Sequence, residues 1–347
     1  LVLQNILKDM VDLDIKNIVM EVSSIGLTEK RTKGTDFSVA VFTNLTHDHL
    51  DFHQTMEQYK EAKGNLFKNL NSHNIRGEEN FAIINNDEET ADYFKKITKA
   101  TVISYGLTHE ADYQAINIEY SRLGTTFDLL YKGEKYRVKT PLIGEINVYN
   151  VLAAIVAAHV KFLTLEEIIP TLKTIQPVKG RLEILTDADN DITVVIDYAH
   201  TPVSLEKTLK NLHELDYENI ISVFGCNGDR DRLKRPLMAQ ISLDNSTFSI
   251  FTTGNPRTED QRIIFNDMMD GLVGENYLQI TNREEAIKHS ILTANEGALI
   301  LLAGKGHEDY QIIGREKVHF DDHEVALKSL EERKQRLESK RALKWIN

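Results

Sequence analysis

The sequence is poor in cysteine and has no long apolar run. Its 347 residues include one cysteine, Cys226, which excludes a disulfide framework and fits a reducing compartment. No apolar run reaches the roughly 18 residues that span a bilayer, and residues 1–14 mix Lys and Asp too freely for a signal peptide. We therefore expect a cytoplasmic protein that has no membrane partner.

The chain also has fewer basic than acidic residues. The chain has 41 Lys and Arg against 53 Asp and Glu, which gives a net charge of −12 at pH 7. Because phosphate backbones select basic surfaces, this balance argues against a nucleic-acid partner. It does not argue against small anions, which local cations, metals and backbone amides can hold.

The length and the apolar pattern predict two α/β domains. A chain of 347 residues exceeds what one core usually organises, and we place the boundary near residue 180, giving domains 1–180 and 181–347. The chain starts at Leu1, without an initiator Met and inside an amphipathic helical pattern, so we expect it to be part of a longer protein.

Buried parallel strands are predicted wherever β-rich apolar runs alternate with helical spacing. Residues 112–140 instead alternate apolar and polar around two turns, which predicts a small antiparallel meander. The second domain is predicted to be a Rossmann-like open sheet with ligands at its carboxyl-end loops. The predicted strands are 17–22, 39–43, 81–85, 101–105, 193–197, 220–224, 248–252, 277–280 and 298–302.

Polar clusters stand where these strands end, and we predict that they line a cleft between the domains. The densest is Asn44-Leu-Thr-His-Asp-His-Leu-Asp-Phe-His53. Phe52 breaks the spacing of a zinc-hydrolase motif, and the histidines of a lone cluster often only cap a helix. Mg²⁺ prefers oxygen ligands with an occasional imidazole, so Glu21 and His49 suit two magnesium ions that bridge ATP phosphates.

In order and spacing, the motifs resemble those of the Mur ligase family, in the branch that adds a diamino acid. The resemblance covers essentially the whole chain. It implies the remainder of a P-loop-type central domain with the meander, followed by a Rossmann-like C-terminal domain. The matching segments are 21–27, 41–53, 59–63, 147–150, 180–183, 197–202, 228–238, 255–260 and 304–308.

The resemblance implies an ATP-dependent ligase of peptidoglycan precursor synthesis. ATP would phosphorylate a carboxylate of UDP-MurNAc-L-Ala-D-Glu, and the amine of meso-diaminopimelate would attack the acyl phosphate, releasing ADP and phosphate. Two magnesium ions would be held by Glu21, His49 and Lys63, the last carbamylated by CO₂. As a plain ammonium, Lys63 would instead contact phosphate. We expect a monomer.

Binding roles also follow from the resemblance. Ser23 and Arg31 match residues that contact the UDP-muramoyl substrate. The alternative for Arg31 is that it is only a solvated cation on the surface. Nucleotide contacts are implied for Asn147, Asn150, Arg181, Asp197 and His200. The alternatives are a helix cap for the asparagines and a turn-holding Asp–His pair for Asp197 and His200.

The amino-acid pocket is implied in the second domain. An arginine grips a carboxylate in bidentate fashion, and Arg257 is typical of members that add meso-diaminopimelate, whose second carboxylate lysine lacks. Glu308 would form an ion pair with an ammonium group of the substrate. Gly254 stands where the family has Asp, and Ile25 where it commonly has His. The residues matching this pocket are Arg230, Asn255, Arg257, Gly304 and Glu308.

Three alternatives remain at this point. One is an L-lysine-adding ligase of the same family, and a second is a folylpolyglutamate synthetase, which the muramyl-ligase motif combination disfavours. The third is an inactive binding fragment, because the family's Gly-x-x-Gly-Lys-Thr phosphate loop and uridine-binding domain would precede Leu1. On this expectation the chain alone is inactive.

Overall fold

The computed structural model describes residues 2–46, 50–186 and 190–344, with backbone only at 50, 51 and 340–344. Two compact units make up the chain. The first contains Leu1–Ile118, Thr126–Lys139 and Ile146–Lys173, and the second contains Glu119–Thr125, Thr140–Glu145 and Thr174–Asn347. The functional domains 1–180 and 181–347 stay a prediction.

A six-stranded sheet, in the order β1-β2-β3-β4-β5-β6, forms the first unit together with its helices. Strands β1 to β3 are parallel. Two-residue turns join β4 to β5 and β5 to β6, as antiparallel neighbours require, which confirms the predicted meander. The elements are α1 (Val2–Asp12), α2 (Ser24–Thr28), β1 (Val39–Phe42), α3 (Leu50–His53), α4 (Met56–Lys68), β2 (Phe81–Asn85), α5 (Ala91–Ile97), β3 (Thr101–Gly106), β4 (Tyr113–Ser121), β5 (Gly124–Tyr131), β6 (Glu134–Thr140), α6 (Glu145–His159) and α7 (Leu165–Thr171).

The second unit contains an open sheet in the order β11-β10-β9-β12-β8-β7, parallel except for the β7–β8 pair. A hairpin of two further strands follows it. The elements are β7 (Glu183–Ile184), β8 (Thr193–Asp197), α8 (Pro202–His213), β9 (Ile220–Phe224), α9 (Lys234–Asp244), β10 (Phe248–Phe251), α10 (Gln261–Met269), β11 (Tyr277–Gln279), α11 (Arg283–Thr293), β12 (Leu299–Ala303), β13 (Tyr310–Ile313), β14 (Glu316–His319) and α12 (Asp322–Lys344).

Helices cover both faces of this second sheet. Along β12, Leu299 and Leu301 join one apolar cluster with α8, α9 and α10, while Ile300 and Leu302 join another with α11 and α12. The alternation follows from the two-residue period of a strand, and burial on both faces explains the continuous apolar run. The predicted α/β class and Rossmann-like sheet are confirmed.

One predicted strand is wrong. Residues 15–23 form neither helix nor strand, and Val19 in that segment is 100% exposed. Apolar content alone does not make a strand, because its N–H and C=O groups need a paired neighbour. Among the described residues β1 is the edge of its sheet, and nothing pairs beyond it.

The end of β12 is fixed by a buried ion pair. The Arg283 guanidinium bonds both Asp322 carboxylate oxygens at 2.7 Å and donates to the Ala303 carbonyl at 3.1 Å. Both charged side chains are essentially buried, at 1% and 0% exposure. Since Ala303 is the last residue of β12, this pair holds the start of the loop that follows. Among the described residues, no helix has the length and apolar character to cross a membrane.

Asp87 ties the loops after β2 and β3 to helix α6. Its carboxylate accepts from the backbone N–H groups of Leu107, Thr108 and His109, at 2.6, 3.1 and 2.7 Å. The Tyr149 hydroxyl donates to it at 2.8 Å. Burial by itself raises the pKa of Asp87, but these hydrogen bonds prevail and hold that pKa well below its ordinary value.

Asp87→Asn is expected to lower the free energy of unfolding at pH 7 by about 2 kcal/mol, because hydrogen bonds to a charged acceptor are lost. The difference should shrink as pH falls. Below the ordinary pKa of 3.8, Asp87 is protonated in the unfolded wild type but still ionised in the folded state. The stabilisation that the Asp87 charge provides is therefore lost progressively from about pH 4 downward. Urea titrations at pH 7, 4 and 3 measure it.

Asp9→Asn, at an exposed carboxylate on α1, is the matched control and should leave the free energy of unfolding nearly unchanged at each pH. A deficit of the Asp87→Asn variant that stays constant from pH 7 to pH 3 would contradict the role assigned to the Asp87 charge.

Candidate functional site

The predicted UDP-muramoyl contacts lie around helix α2. Ser23 is its N-cap, and its hydroxyl accepts from the Gly26 N–H at 3.0 Å. The Arg31 side chain is 64% exposed and its Nε donates to Glu29 at 2.7 Å. Ser23 therefore has a structural role of its own, and Arg31 is a surface cation with a carboxylate neighbour.

The predicted magnesium ligands are only partly within the described residues. His49 lies outside them, with His47, so the zinc hypothesis is likewise beyond what the structure describes. Glu21 is exposed, and Lys63 on α4 is half-buried with its Nζ 5.2 Å from the centre of the Tyr59 ring. In residues 2–46, 50–186 and 190–344, no three His, Cys, Asp or Glu side chains converge as metal ligands. The magnesium site of Glu21, His49 and Lys63 stays a prediction, because His49 lies outside the described residues.

His53, from the same histidine cluster, is a buried structural residue. Its Nε2 lies 2.8 Å from the Ser24 hydroxyl, and its ring stacks on Tyr59 at 5.2 Å. These contacts connect α2, α3 and α4. For His53, local hydrogen bonding is thus the correct interpretation, and the connection positions the helix that carries Lys63.

The two predicted adenine-side asparagines lie on α6. Asn147 is 8% exposed, Asn150 is exposed, and the Asn150 Nδ2 donates to Asn147 Oδ1 at 3.2 Å. The alternative that these residues cap the helix is wrong, because α6 begins at Glu145 and both lie inside it. Asn150 therefore presents its amide on an exposed face, beside the Tyr149 that Asp87 holds.

Asp197 organises the turn after β8. Its carboxylate accepts from the N–H groups of Leu182 and Ala199 at 2.9 and 3.0 Å and from the Thr208 hydroxyl at 3.0 Å. Burial raises the pKa of Asp197, and these three bonds oppose that rise. Asp197 is therefore a buried support for the turn.

Arg181 and His200 lie beside the ring of Tyr198. The Arg181 guanidinium is 4.7 Å from the centre of that ring, and the His200 Nδ1–H donates to the Tyr198 carbonyl at 2.9 Å. Because Nδ1 is the donor, Nε2 is the ring atom of His200 that faces away from this bond. The structure thus gathers two of the predicted nucleotide contacts around one aromatic side chain.

Three strand-end loops of the second unit meet at Asn255. Its N–H donates to Asn227 Oδ1 at 2.8 Å, and its carbonyl accepts from the Gly228 N–H at 2.9 Å. Its Nδ2 donates to Glu308 Oε2 at 3.0 Å. The loops after β9, β10 and β12 are therefore linked through one residue, which brings the predicted Asn255 and Glu308 together.

The loop carrying Gly228 approaches its neighbour so closely that only glycine fits. A Cβ on Gly228 would lie 1.9 Å from the Pro256 carbonyl oxygen, a distance that no side chain tolerates. Glycine permits this backbone contact. Gly304, another predicted pocket residue, has a φ of +102° and donates its N–H to the Asp197 carbonyl at 3.1 Å.

The Arg257 side chain contains a buried donor without a partner. Its backbone has a φ of 55° and is held by the β13–β14 hairpin, through N–H to Ile312 O at 2.9 Å and Gly314 N–H to Arg257 O at 2.7 Å. Within the described part of the chain, no hydrogen-bond acceptor reaches its buried Nε. Buried donors are normally paired, so this N–H is available to a partner from outside the described residues.

Arg230, another predicted pocket residue, lies on the protein surface. It is exposed on the loop after β9, and its Nη1 donates to the Asp229 carbonyl at 3.1 Å. Asp229 in turn accepts from the Thr258 hydroxyl at 2.9 Å, which adds a second link between the same two loops. The predicted Arg230 thus borders the site from the solvent side.

Sequence reasoning missed Lys305 as a site residue. It is 2% exposed, and its Nζ donates to the Tyr310 carbonyl, to Glu308 at 3.2 Å and weakly to Asn255 Oδ1 at 3.5 Å. Burial lowers the pKa of Lys305, while the nearby Glu308 opposes that change. Its position between two glycines at a strand end was the available signal, which the absence of a Walker motif obscured.

Two family models and several curated relatives match this chain. The Mur ligase middle domain model matches residues 1–158, and the model of the Mur ligase glutamate ligase domain matches residues 180–306. A UDP-N-acetylmuramoyl-L-alanyl-D-glutamate–2,6-diaminopimelate ligase of Bacillus cereus is 46% identical over 330 residues, covering 95% of this chain and 67% of its own length. The ligase of that name from Geobacillus kaustophilus is 44% identical, covering 96% and 68%.

A solved structure gives the same result. A UDP-N-acetylmuramoyl-L-alanyl-D-glutamate–2,6-diaminopimelate ligase aligns with a TM-score of 0.61 and 38% identity, over 90% of this chain and 63% of the solved chain. The chain thus spans just under two thirds of that structure. With two family models and these relatives covering nearly all of its residues, the chain belongs to the Mur ligase family.

Proposed function

We propose that this chain carries the amino-acid site and part of the nucleotide site of an ATP-dependent ligase that joins meso-diaminopimelate to UDP-MurNAc-L-Ala-D-Glu. The observation that carries the proposal is the buried, unpartnered Nε of Arg257 beside the Asn255–Glu308 cluster. The 2,6-diaminopimelate named for the relatives has the second carboxylate that such a guanidinium suits. A cytoplasmic location fits the single, buried and free Cys226.

In this proposal, Arg257 binds the distal carboxylate of the amino acid, and Glu308 binds an ammonium. One oxygen of Glu308 is occupied by Asn255 and Lys305, which fixes the carboxylate, and Oε1 is the oxygen that receives the ligand. The other amine of the amino acid, once deprotonated, attacks the acyl phosphate. The carbonyl carbon loses phosphate and gains an amide bond, so the protein's part is to position and orient the amine.

The nucleotide contacts are proposed for Asn147 and Asn150 in the first unit and for Arg181, Asp197 and His200 in the second. Arg181 and His200 have polar groups near the Tyr198 ring, and Asp197 acts through the turn that it supports. For the UDP-muramoyl substrate we propose Ser23 and Arg31. ATP is the phosphoryl donor in this scheme, and the enzyme acts as a monomer.

Magnesium and the carbamate on Lys63 remain predictions from the resemblance. An ammonium has no lone pair for a metal, whereas a carbamate would provide oxygen ligands of the kind that Mg²⁺ prefers. Bound there, magnesium would offset the negative charge of the ATP phosphates during phosphoryl transfer.

The L-lysine-adding alternative is disfavoured by the same observation. L-Lysine has an ammonium at the end where diaminopimelate has a carboxylate as well, and an ammonium would leave Arg257 unpaired and repelled. An inactive binding fragment makes a different prediction, since it would bind ligands but release no phosphate.

The first test measures phosphate release by the protein expressed from its full reading frame, with ATP, UDP-MurNAc-L-Ala-D-Glu and either meso-diaminopimelate or L-lysine. We expect a kcat/KM for meso-diaminopimelate at least about 100-fold above that for L-lysine, as expected when a buried charge is left unpaired. Equal rates would refute the assigned specificity. Absence of release with both would favour the inactive module.

Arg257→Ala is expected to raise the KM for meso-diaminopimelate about 30-fold or more, because a charge-assisted pair is worth about 2 kcal/mol or more. The KM for ATP should not change. Arg262→Ala is the matched control, since Arg262 is exposed and paired with Asp260 in the same region. An unchanged KM for meso-diaminopimelate in Arg257→Ala would remove Arg257 from the site.

Lys63→Ala is expected to lower kcat about 1,000-fold or more without changing the melting temperature, since a metal ligand in phosphoryl transfer contributes several kcal/mol. Lys60→Ala serves as control, because Lys60 lies on the same helix and pairs with Glu57 at 2.6 Å. Labelling with ¹³CO₂ should give a carbamate signal in the wild type that Lys63→Ala lacks. Full activity of that variant would refute the assignment.

A further inference from the structure

Gly254 occupies a position where the fold leaves no room for a side chain. A Cβ there would lie 2.8 Å from Asn227 Oδ1 and 2.9 Å from the Gly225 carbonyl oxygen. Approaches below about 3 Å force the neighbours apart. The nearest atom is thus the carboxamide oxygen of Asn227, so a side chain at 254 would have to displace that amide.

Asn227 has a fixed orientation. Its Oδ1 accepts from the Asn255 N–H at 2.8 Å, so the oxygen and nitrogen of the amide are distinguished by a donor that only oxygen can accept. Its carbonyl accepts from Arg235 Nη2 at 3.0 Å. Arg235 is fully buried and bonded to Glu259 and Asp267, at 2.6 and 2.7 Å. The residue is therefore held at both its backbone and its side chain.

The other end of the Asn227 amide has no protein partner. In the described ranges, no acceptor bonds its Nδ2, and the residue is half-buried, so this N–H group is accessible to a ligand. Its oxygen bonds the residue two positions before Arg257, whose own Nε is a second unpartnered donor. Two oriented N–H donors on adjoining loops, with no carboxylate at 254 to oppose them, favour a carboxylate ligand.

We infer that Asn227 is a specificity-determining residue, whose Nδ2–H binds the distal carboxylate of the amino-acid substrate together with Arg257. This inference rests on the proposed function and deepens it. With an aspartate at 227 the shape and the bond to the Asn255 N–H would persist, but an anionic oxygen would replace the donor. A residue that only braces the loop would tolerate that exchange.

Asn227→Asp tests the inference in the protein expressed from its full reading frame. We expect the KM for meso-diaminopimelate to rise about 10-fold or more, through loss of a donor and like-charge repulsion. The KM for L-lysine should change far less, so the preference for meso-diaminopimelate falls by a similar factor. The KM for ATP and the urea midpoint should match the wild type.

Two further variants complete the experiment. Asn282→Asp is the matched control, because Asn282 caps α11 with its Oδ1 at 3.1 Å from the Glu285 N–H, and aspartate caps equally well. It should leave both KM values unchanged. If Asn227→Asp does not fold, Asn227→Ala provides the same selectivity measurement without introducing a charge, and it too should lose preference for meso-diaminopimelate.

The possible results distinguish failure of the role of Asn227 from failure of the proposed function. A wild type that prefers meso-diaminopimelate, with an Asn227→Asp variant that keeps this preference, refutes the role of Asn227 alone. An equal loss for both amino acids also refutes it, because a donor to the distal carboxylate would affect meso-diaminopimelate alone. A wild type that uses neither amino acid refutes the proposed function and, with it, this inference.

Discussion

The hydrogen bonding of Asn255 is the interaction on which the second unit's site depends. Its backbone N–H and carbonyl bond Asn227 and Gly228, and its side-chain amide bonds Glu308 and, at 3.0 Å, the Ile312 N–H. One residue thus connects the loops after β9, β10 and β12 with the hairpin. Since it is 2% exposed, each lost bond would leave a buried polar group unpaired, so the loops hold a single arrangement.

Two buried arginines near these loops form ion pairs. Arg235 holds Glu259 and Asp267, and Arg283 holds Asp322 and the last carbonyl of β12. Such pairs add little net stability over apolar residues of the same size, but they fix direction, because a guanidinium fork satisfies its partners in one geometry. They therefore serve the positioning of the strand-end loops more than the stability of the sheet.

The sequence was sufficient for the sheet strands whose partners are themselves apolar runs, and for the loops that carry the motifs. It failed at residues 17–22, because pairing depends on a neighbour that composition does not reveal. The alternative of a helix cap for Asn147 was wrong, because α6 begins two residues earlier. Sequence reasoning also missed Lys305 and Asn227. Their contacts join loops distant in sequence, whereas the short motif that predicts a role for Arg257 lies on a single loop.

The charges around Asn255 bear on the specificity that we propose. Lys305 and Glu308 form a pair 3.2 Å apart whose charges cancel, and Gly254 contributes none. Arg257 is then the half-buried cation of this cluster whose Nε pairs with no described residue, and a negatively charged ligand end would compensate it. An amino acid with a second carboxylate meets this requirement and one with a simple ammonium does not. The proposed specificity thus depends on three side chains together, those of Lys305, Glu308 and Arg257, since Glu308 paired with Lys305 would alone accept either amino acid.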